Sequence, residues 1–221
     1  MYAVIGSAQG EITEKRSRFI ARIKEIHNEE EASAFIEAIR KEYWDARHNC
    51  YAYVLGRNNE LQRFSDDGEP QGTAGRPILD VLMGADIRNA VIVVTRYFGG
   101  TLLGTGGLIR AYTDSSLAAV GNLNENDSAG KLLPILEGHL ITFSCDYSDI
   151  NRFESLAAKY DLRTVSKDYL EKAIYKMVIE SSALGRFLSE ANDLTRGAFA
   201  LDSDEEVCFC PDEKGAILYS I

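Results

Sequence analysis

The chain has 221 residues, 45% hydrophobic and 26% charged, with a formal net charge of −10. This excludes a mostly disordered chain and gives enough length for two domains. The acidic balance also excludes a generic basic coat for nucleic acid, because phosphate binding needs clustered Lys and Arg, but it leaves room for a local basic patch.

The charges are unevenly placed. Residues 1–130 hold 14 Lys+Arg against 18 Asp+Glu, net −4, and residues 131–221 hold 10 against 16, net −6. The only lysines of the first half are Lys15, Lys24 and Lys41, so its cations are mostly Arg, the planar bidentate binder of phosphate and carboxylate. The N-terminus lacks a basic region followed by an apolar run, and no apolar stretch reaches membrane-spanning length. The chain therefore reads as cytoplasmic, with no membrane partner. Cys50, Cys145, Cys208 and Cys210 match neither a disulfide framework nor a zinc ribbon and read as buried reduced thiols.

Residues 10–26 alternate weakly and read as a strand or a long hairpin. Asn28 with Glu31 is a capping box, and Ala32, Phe35, Ile36 and Ile39 follow at helical spacing. With acids first and Arg40 and Lys41 last, this predicts a helix over about residues 29–42. Trp44 beyond it reads as a core anchor or as a stacking surface. Residues 50–55 read as a strand. Residues 65–77, SDDGEPQGTAGRP, read as a loop, with Pro77 at the first position of a short helix. Residues 90–97 read as a strand buried on both faces. A glycine-rich turn over 98–107 leads to a helix over 108–120.

The polar segment 121–131 reads as a linker, dividing the chain into residues 1–128 and 129–221. Beyond it the pattern predicts strand 135–145, helix 149–160, strands 162–165 and 173–180, a helix capped by Ser182, and a strand region over 198–210. The order βαββαβ is the ferredoxin-like split unit.

The segment VIVVTRYFGGTLLGTGGLIRAY (91–112) runs from a buried strand through Gly99, Gly100, Gly104, Gly106 and Gly107 into a helix. Free backbone N–H groups at a helix start make an anion site. Arg96 and Arg110 flank this turn, and Arg76, Arg16 and Arg18 are candidates to extend it. No Walker A loop and no Gly-x-Gly-x-x-Gly is present. The plainer reading is that the glycines allow only a tight turn. Asp66, Asp67 and Glu69 stand in four positions and are candidate ligands for Mg²⁺ or Ca²⁺, or a solvated acidic turn. No other cofactor is indicated. His48 and Cys50 share one strand face and offer an acid/base or nucleophile pair without a visible third partner.

Four of these segments, EKRSRFIA, DARHNCYAY, SDDGEPQGTAGRPIL and VIVVTRYFGGTLLGTGGLIRAY, resemble the IMPACT/YigZ family in order and spacing. The resemblance covers about residues 10–120, and the second half resembles the domain that accompanies them in bacterial members. One departure is Arg47, where the family usually carries Thr. The resemblance implies an α+β fold: a domain like ribosomal protein S5 domain 2 followed by a ferredoxin-like domain, similar to domains IV and V of elongation factor G. It also implies a role in translation, because the eukaryotic IMPACT proteins are regulators of translation.

Three functions remain open. A non-catalytic regulator would bind RNA or the ribosome through Arg16, Arg18, Arg76, Arg96, Arg110 and the five glycines; no motif for specific DNA sequences is seen. A phosphate-handling enzyme would use His48 and a metal on Asp66, Asp67 and Glu69. An adaptor would bind a protein of the translation machinery through the second domain.

Overall fold

The computed structural model describes residues 1–125, 129–213 and 215–219. It forms two compact units that divide between Leu133 and Pro134.

The first unit contains β1 (Tyr2–Ile5), β2 (Ser7–Glu14), β3 (Ser17–Glu25), α1 (Glu29–Glu42), β4 (His48–Leu55), β5 (Leu61–Ser65), α2 (Gly75–Gly84), β6 (Ile87–Arg88), β7 (Ala90–Tyr97), α3 (Gly104–Gly121) and β8 (Lys131–Pro134). The division falls later than residue 128 because β8 pairs with β1 in a small sheet of order β6-β1-β8. The main sheet has the order β2-β3-β7-β4-β5, and β3, β7 and β4 pair antiparallel. β7 lies at its centre, where an apolar run buried on both faces belongs.

The side-chain alternation of β7 separates two cores. Ala90, Ile92 and Val94 pack with α2 and α3, alongside Phe19, Ala52, Leu82 and Tyr112. Val91 and Val93 face α1, through Ile36 and Ile39, with Tyr53 of β4 beside them. Each such side chain contributes about 1.5–3 kcal/mol when fully buried.

The helix ends show where local chemistry acts. Asn28 Oδ1 accepts the Glu31 N–H at 2.8 Å, which starts α1 at the expected residue. Glu31 returns its carboxylate to the His27 N–H at 2.9 Å, one residue before the cap. Pro77 is the third residue of α2 and not the first. Gly75 begins that helix, and glycine is needed there because a Cβ would stand 2.7–2.8 Å from the Ser65 backbone. α3 starts four residues earlier than its apolar periodicity suggests, so Gly104, Gly106 and Gly107 form its first turn.

The second unit contains β9 (Leu136–Cys145), a 3₁₀ turn (Tyr147–Asp149), α4 (Ile150–Lys159), β10 (Arg163–Tyr169), β11 (Ala173–Glu180), α5 (Ser181–Leu194), β12 (Ser203–Asp212) and β13 (Gly215–Tyr219). The sheet order is β10-β11-β9-β12-β13, the ferredoxin-like arrangement with one added edge strand. Ile141, Phe143, Tyr175 and Met177 pack against Phe153 of α4 and Phe187 of α5. Ser182 does not cap α5: the helix starts at Ser181, and the Ser182 hydroxyl donates to the Glu180 carboxylate at 2.8 Å.

Candidate functional site

The informative residues of the first unit gather at one end of its main sheet. There the β2–β3 turn, the end of β7 and the start of β4 lie side by side. Arg18 pairs with Tyr97, Phe19 with Arg96, and His48 with Arg96. Residues opposite one another in such ladders project to the same face.

On the α3 face this end holds a buried polar cluster. Arg96 is 6% exposed, and its Nη1 donates to Glu69 Oε1 at 2.6 Å. The Tyr112 hydroxyl donates to the same oxygen at 2.9 Å, and the Cys50 thiol donates to Tyr112 Oη at 3.3 Å and to the Asp66 carbonyl at 2.9 Å. Burial pushes the Cys50 thiol up, with Glu69, Asp67 and Asp66 adding to the rise and the Tyr112 hydrogen bond opposing it. The thiol therefore stays protonated and is no nucleophile at neutral pH. His48 Nδ1 lies 2.9 Å from the Asp67 carbonyl, a contact that requires the proton on Nδ1. Its Nε2 lies 4.0 Å from Glu69 Oε1.

The acidic loop is consumed by protein donors. Asp66 accepts the N–H groups of Gly72, Ala74 and Gly75 at 2.7, 3.0 and 2.8 Å, which caps α2 from a distance in sequence. Asp67 accepts from the Asn49 N–H at 2.7 Å and from Arg40 at 3.3 Å. Glu69 belongs to Arg96 and Tyr112. The three carboxylates thus serve three different sets of partners, and among the described residues no group of three His, Cys, Asp or Glu is placed to hold a metal ion.

The arginines separate in the same way. Arg96 is turned inward and is not a surface phosphate binder. Arg18 is held bidentately by Glu11 at 2.6 and 2.8 Å, and Arg76 pairs with Asp80 at 2.8 Å along α2. Arg76 therefore does not bridge the acidic loop to the glycine turn. Arg16 and Arg110 remain exposed and unpaired among the described residues, as do Lys15 and Arg47.

Local backbone explains where these cations stand. Glu14 pairs with Ser17, so Lys15 and Arg16 form a two-residue hairpin turn, with φ of 45° and 67°. Arg16 thus sits in the turn and does not share a strand face with Arg18. Such turns ordinarily select Asn and Gly. Gly99 presses against this turn: a Cβ at Gly99 would stand 2.1 Å from the Arg16 carbonyl carbon, and its N–H donates to Ser17 Oγ at 3.1 Å. Gly104, with φ of 72°, then opens α3 with no side-chain cap and no acidic residue in the first turn. Lys15, Arg110, Gly106 and Gly107 line one depression of about 360 Å³, with Glu14 and Asp114 on its wall.

Sequence reasoning missed Tyr112, whose hydroxyl joins Glu69 to Cys50; its helical spacing marks it only as core. It also left Lys15 outside the site, although the turn that displays Arg16 displays Lys15 equally.

Residues 15–120 match the Impact N-terminal domain, and residues 143–198 match a domain of unknown function, DUF1949. The chain is 37% identical to the IMPACT family member YigZ of Escherichia coli, over 87% of this chain and 92% of that one. The chain belongs to the IMPACT family. A second family member, YvyE of Bacillus subtilis, is 36% identical over 89% of this chain and 87% of its own length. A solved structure titled as that of a hypothetical protein is 33% identical and covers 90% of this chain and 95% of its own, with a TM-score of 0.54. The matched Impact N-terminal segment contains Lys15, Arg16, His48, the acidic loop and the glycine turn. No described helix of this family member is long and apolar enough to cross a membrane.

Proposed function

We propose that this IMPACT family member is a translation-associated regulator that binds RNA, free or within the ribosome, without catalysing a reaction. The link to translation rests on the family resemblance. The observation that carries RNA binding is the depression in which the unpaired Lys15 and Arg110 meet the uncapped, glycine-built first turn of α3. Free N–H groups, the helix dipole and two cations all favour a phosphate there. Arg16 stands beside Lys15 on the same turn. The surrounding acidic surface, net −10 overall, repels polyanions that do not reach this patch. The buried polar cluster of Arg96, Glu69, Tyr112 and Cys50 has a structural role in this reading, since its thiol is protonated and its carboxylate is engaged.

The test is co-sedimentation with ribosomes and gel-shift of RNA by the whole chain. Lys15→Ala, Arg16→Ala and Arg110→Ala together are expected to weaken both strongly; undiminished binding by the triple variant contradicts the proposal.

A further inference from the structure

The same end of the sheet leaves two large aromatic side chains in water. Trp44 is 82% exposed and Phe98 is 53% exposed. Trp44 is thus no core anchor, although it closely follows a well-packed helix. The exposure is held in place by the fold. Trp44 precedes Asp45, whose carboxylate accepts the Tyr97 hydroxyl at 2.7 Å, and Phe98 follows Tyr97 directly. Both exposed residues are thus chain neighbours of the pair whose hydrogen bond ties the α1–β4 connection to the end of β7, at one end of the main sheet. Tyr97 is braced in turn by Tyr43, edge to face at 6.4 Å, and the Arg96 guanidinium lies 5.6 Å from the Phe98 ring centre.

Unpaired cations stand at the same end of the sheet. Arg47 follows Trp44 by three residues, and Lys15 and Arg16 occupy the turn that Gly99, next after Phe98, presses against. Of the neighbouring acids, Asp45 is occupied by Tyr97 and Glu42 by Arg22 at 2.6 Å, while Glu14 stands exposed beside Lys15. Exposed aromatic faces among free cations are how proteins hold single-stranded nucleic acid: bases stack on the rings while the cations follow the backbone. A duplex hides its base faces and gains nothing from the rings.

We infer that this rim takes unpaired, single-stranded RNA, stacking bases on Trp44 and Phe98 while Lys15, Arg16 and Arg47 hold phosphates. The inference rests on the RNA-binding reading above and names the form of RNA bound.

Trp44 is the only tryptophan of the chain, so its fluorescence reports directly on the rim. The probe is a single-stranded RNA of about 12 nucleotides, within the usual site size, compared with a duplex of equal length by anisotropy. The single strand is expected to bind more tightly and to quench Trp44 emission saturably. Trp44→Ala and Phe98→Ala are each expected to weaken it about 5- to 150-fold, the loss that stacking one base represents, with Trp44→Phe largely restoring affinity. If single strand and duplex bind equally and emission is unchanged, the stacking inference is overturned while RNA binding stands. If neither RNA binds, both fall. The quench needs no variant, so the outcome does not depend on the variants folding.

Discussion

Arg96 and Glu69 meet at 2.6 Å in the interior of the first unit, and Tyr112 donates to the same carboxylate oxygen at 2.9 Å. Breaking a buried pair from one side leaves an uncompensated charge. Glu69→Ala is therefore expected to destabilise the first unit by about 3–5 kcal/mol in urea unfolding. Glu69→Gln keeps an acceptor for Tyr112 and Arg96 and is expected to lose less. A cost under about 1 kcal/mol for the alanine variant would show that the pair is not structural.

The β2–β3 turn joins stability to binding with opposite signs. Lys15 and Arg16 hold the left-handed backbone that Asn and Gly adopt more easily. Lys15→Asn with Arg16→Gly is expected to raise stability by about 1 kcal/mol and to weaken RNA binding in the same protein. Thermal unfolding and anisotropy on one preparation read both effects. A variant that gains stability and keeps full affinity would remove the turn from the site.

The Tyr97–Asp45 hydrogen bond sets a pH dependence at alkaline pH. It raises the Tyr97 phenol to about 12, with burial and the Asp45 charge adding to the effect. An unfolded tyrosine titrates near 10. Between these values the folded state holds a proton that the unfolded state has lost, so stability is full below about pH 10 and falls from there towards 12. Tyr97→Phe is expected to flatten that fall and to remove one late-titrating phenol from the absorbance change on ionisation. An unchanged titration curve would count against the bond.

Much of the fold is legible because local signals and burial agree. Asn28 and Glu31 place the start of α1, and the apolar run of β7 marks the strand that both cores share. α3 is misplaced by four residues because glycine carries no periodicity, although Gly104, Gly106 and Gly107 lie in its first turn. β13 is missed because its five residues are too short a run to read as a strand alone, and only the antiparallel ladder with β12 makes them one. The site is harder to read, since charge alone does not say which cations are spent. Arg18, Arg76 and Arg96 look like Arg16 and Arg110 in sequence, but Glu11, Asp80 and Glu69 reach them only after folding. The exposure of Trp44 is hidden for the same reason: nothing in its neighbours shows that the chain turns away at Asp45 to meet Tyr97.

In the proposed site Lys15, Arg16 and Arg110 contact phosphates of RNA, and the salt dependence of binding reads those contacts. Each phosphate neutralised on a single strand steepens the slope of log K against log salt by about 0.7. The triple alanine variant is expected to bind more weakly and to show a slope shallower by about 2 than the unchanged protein. An equal slope in the two proteins would contradict the placement of the site.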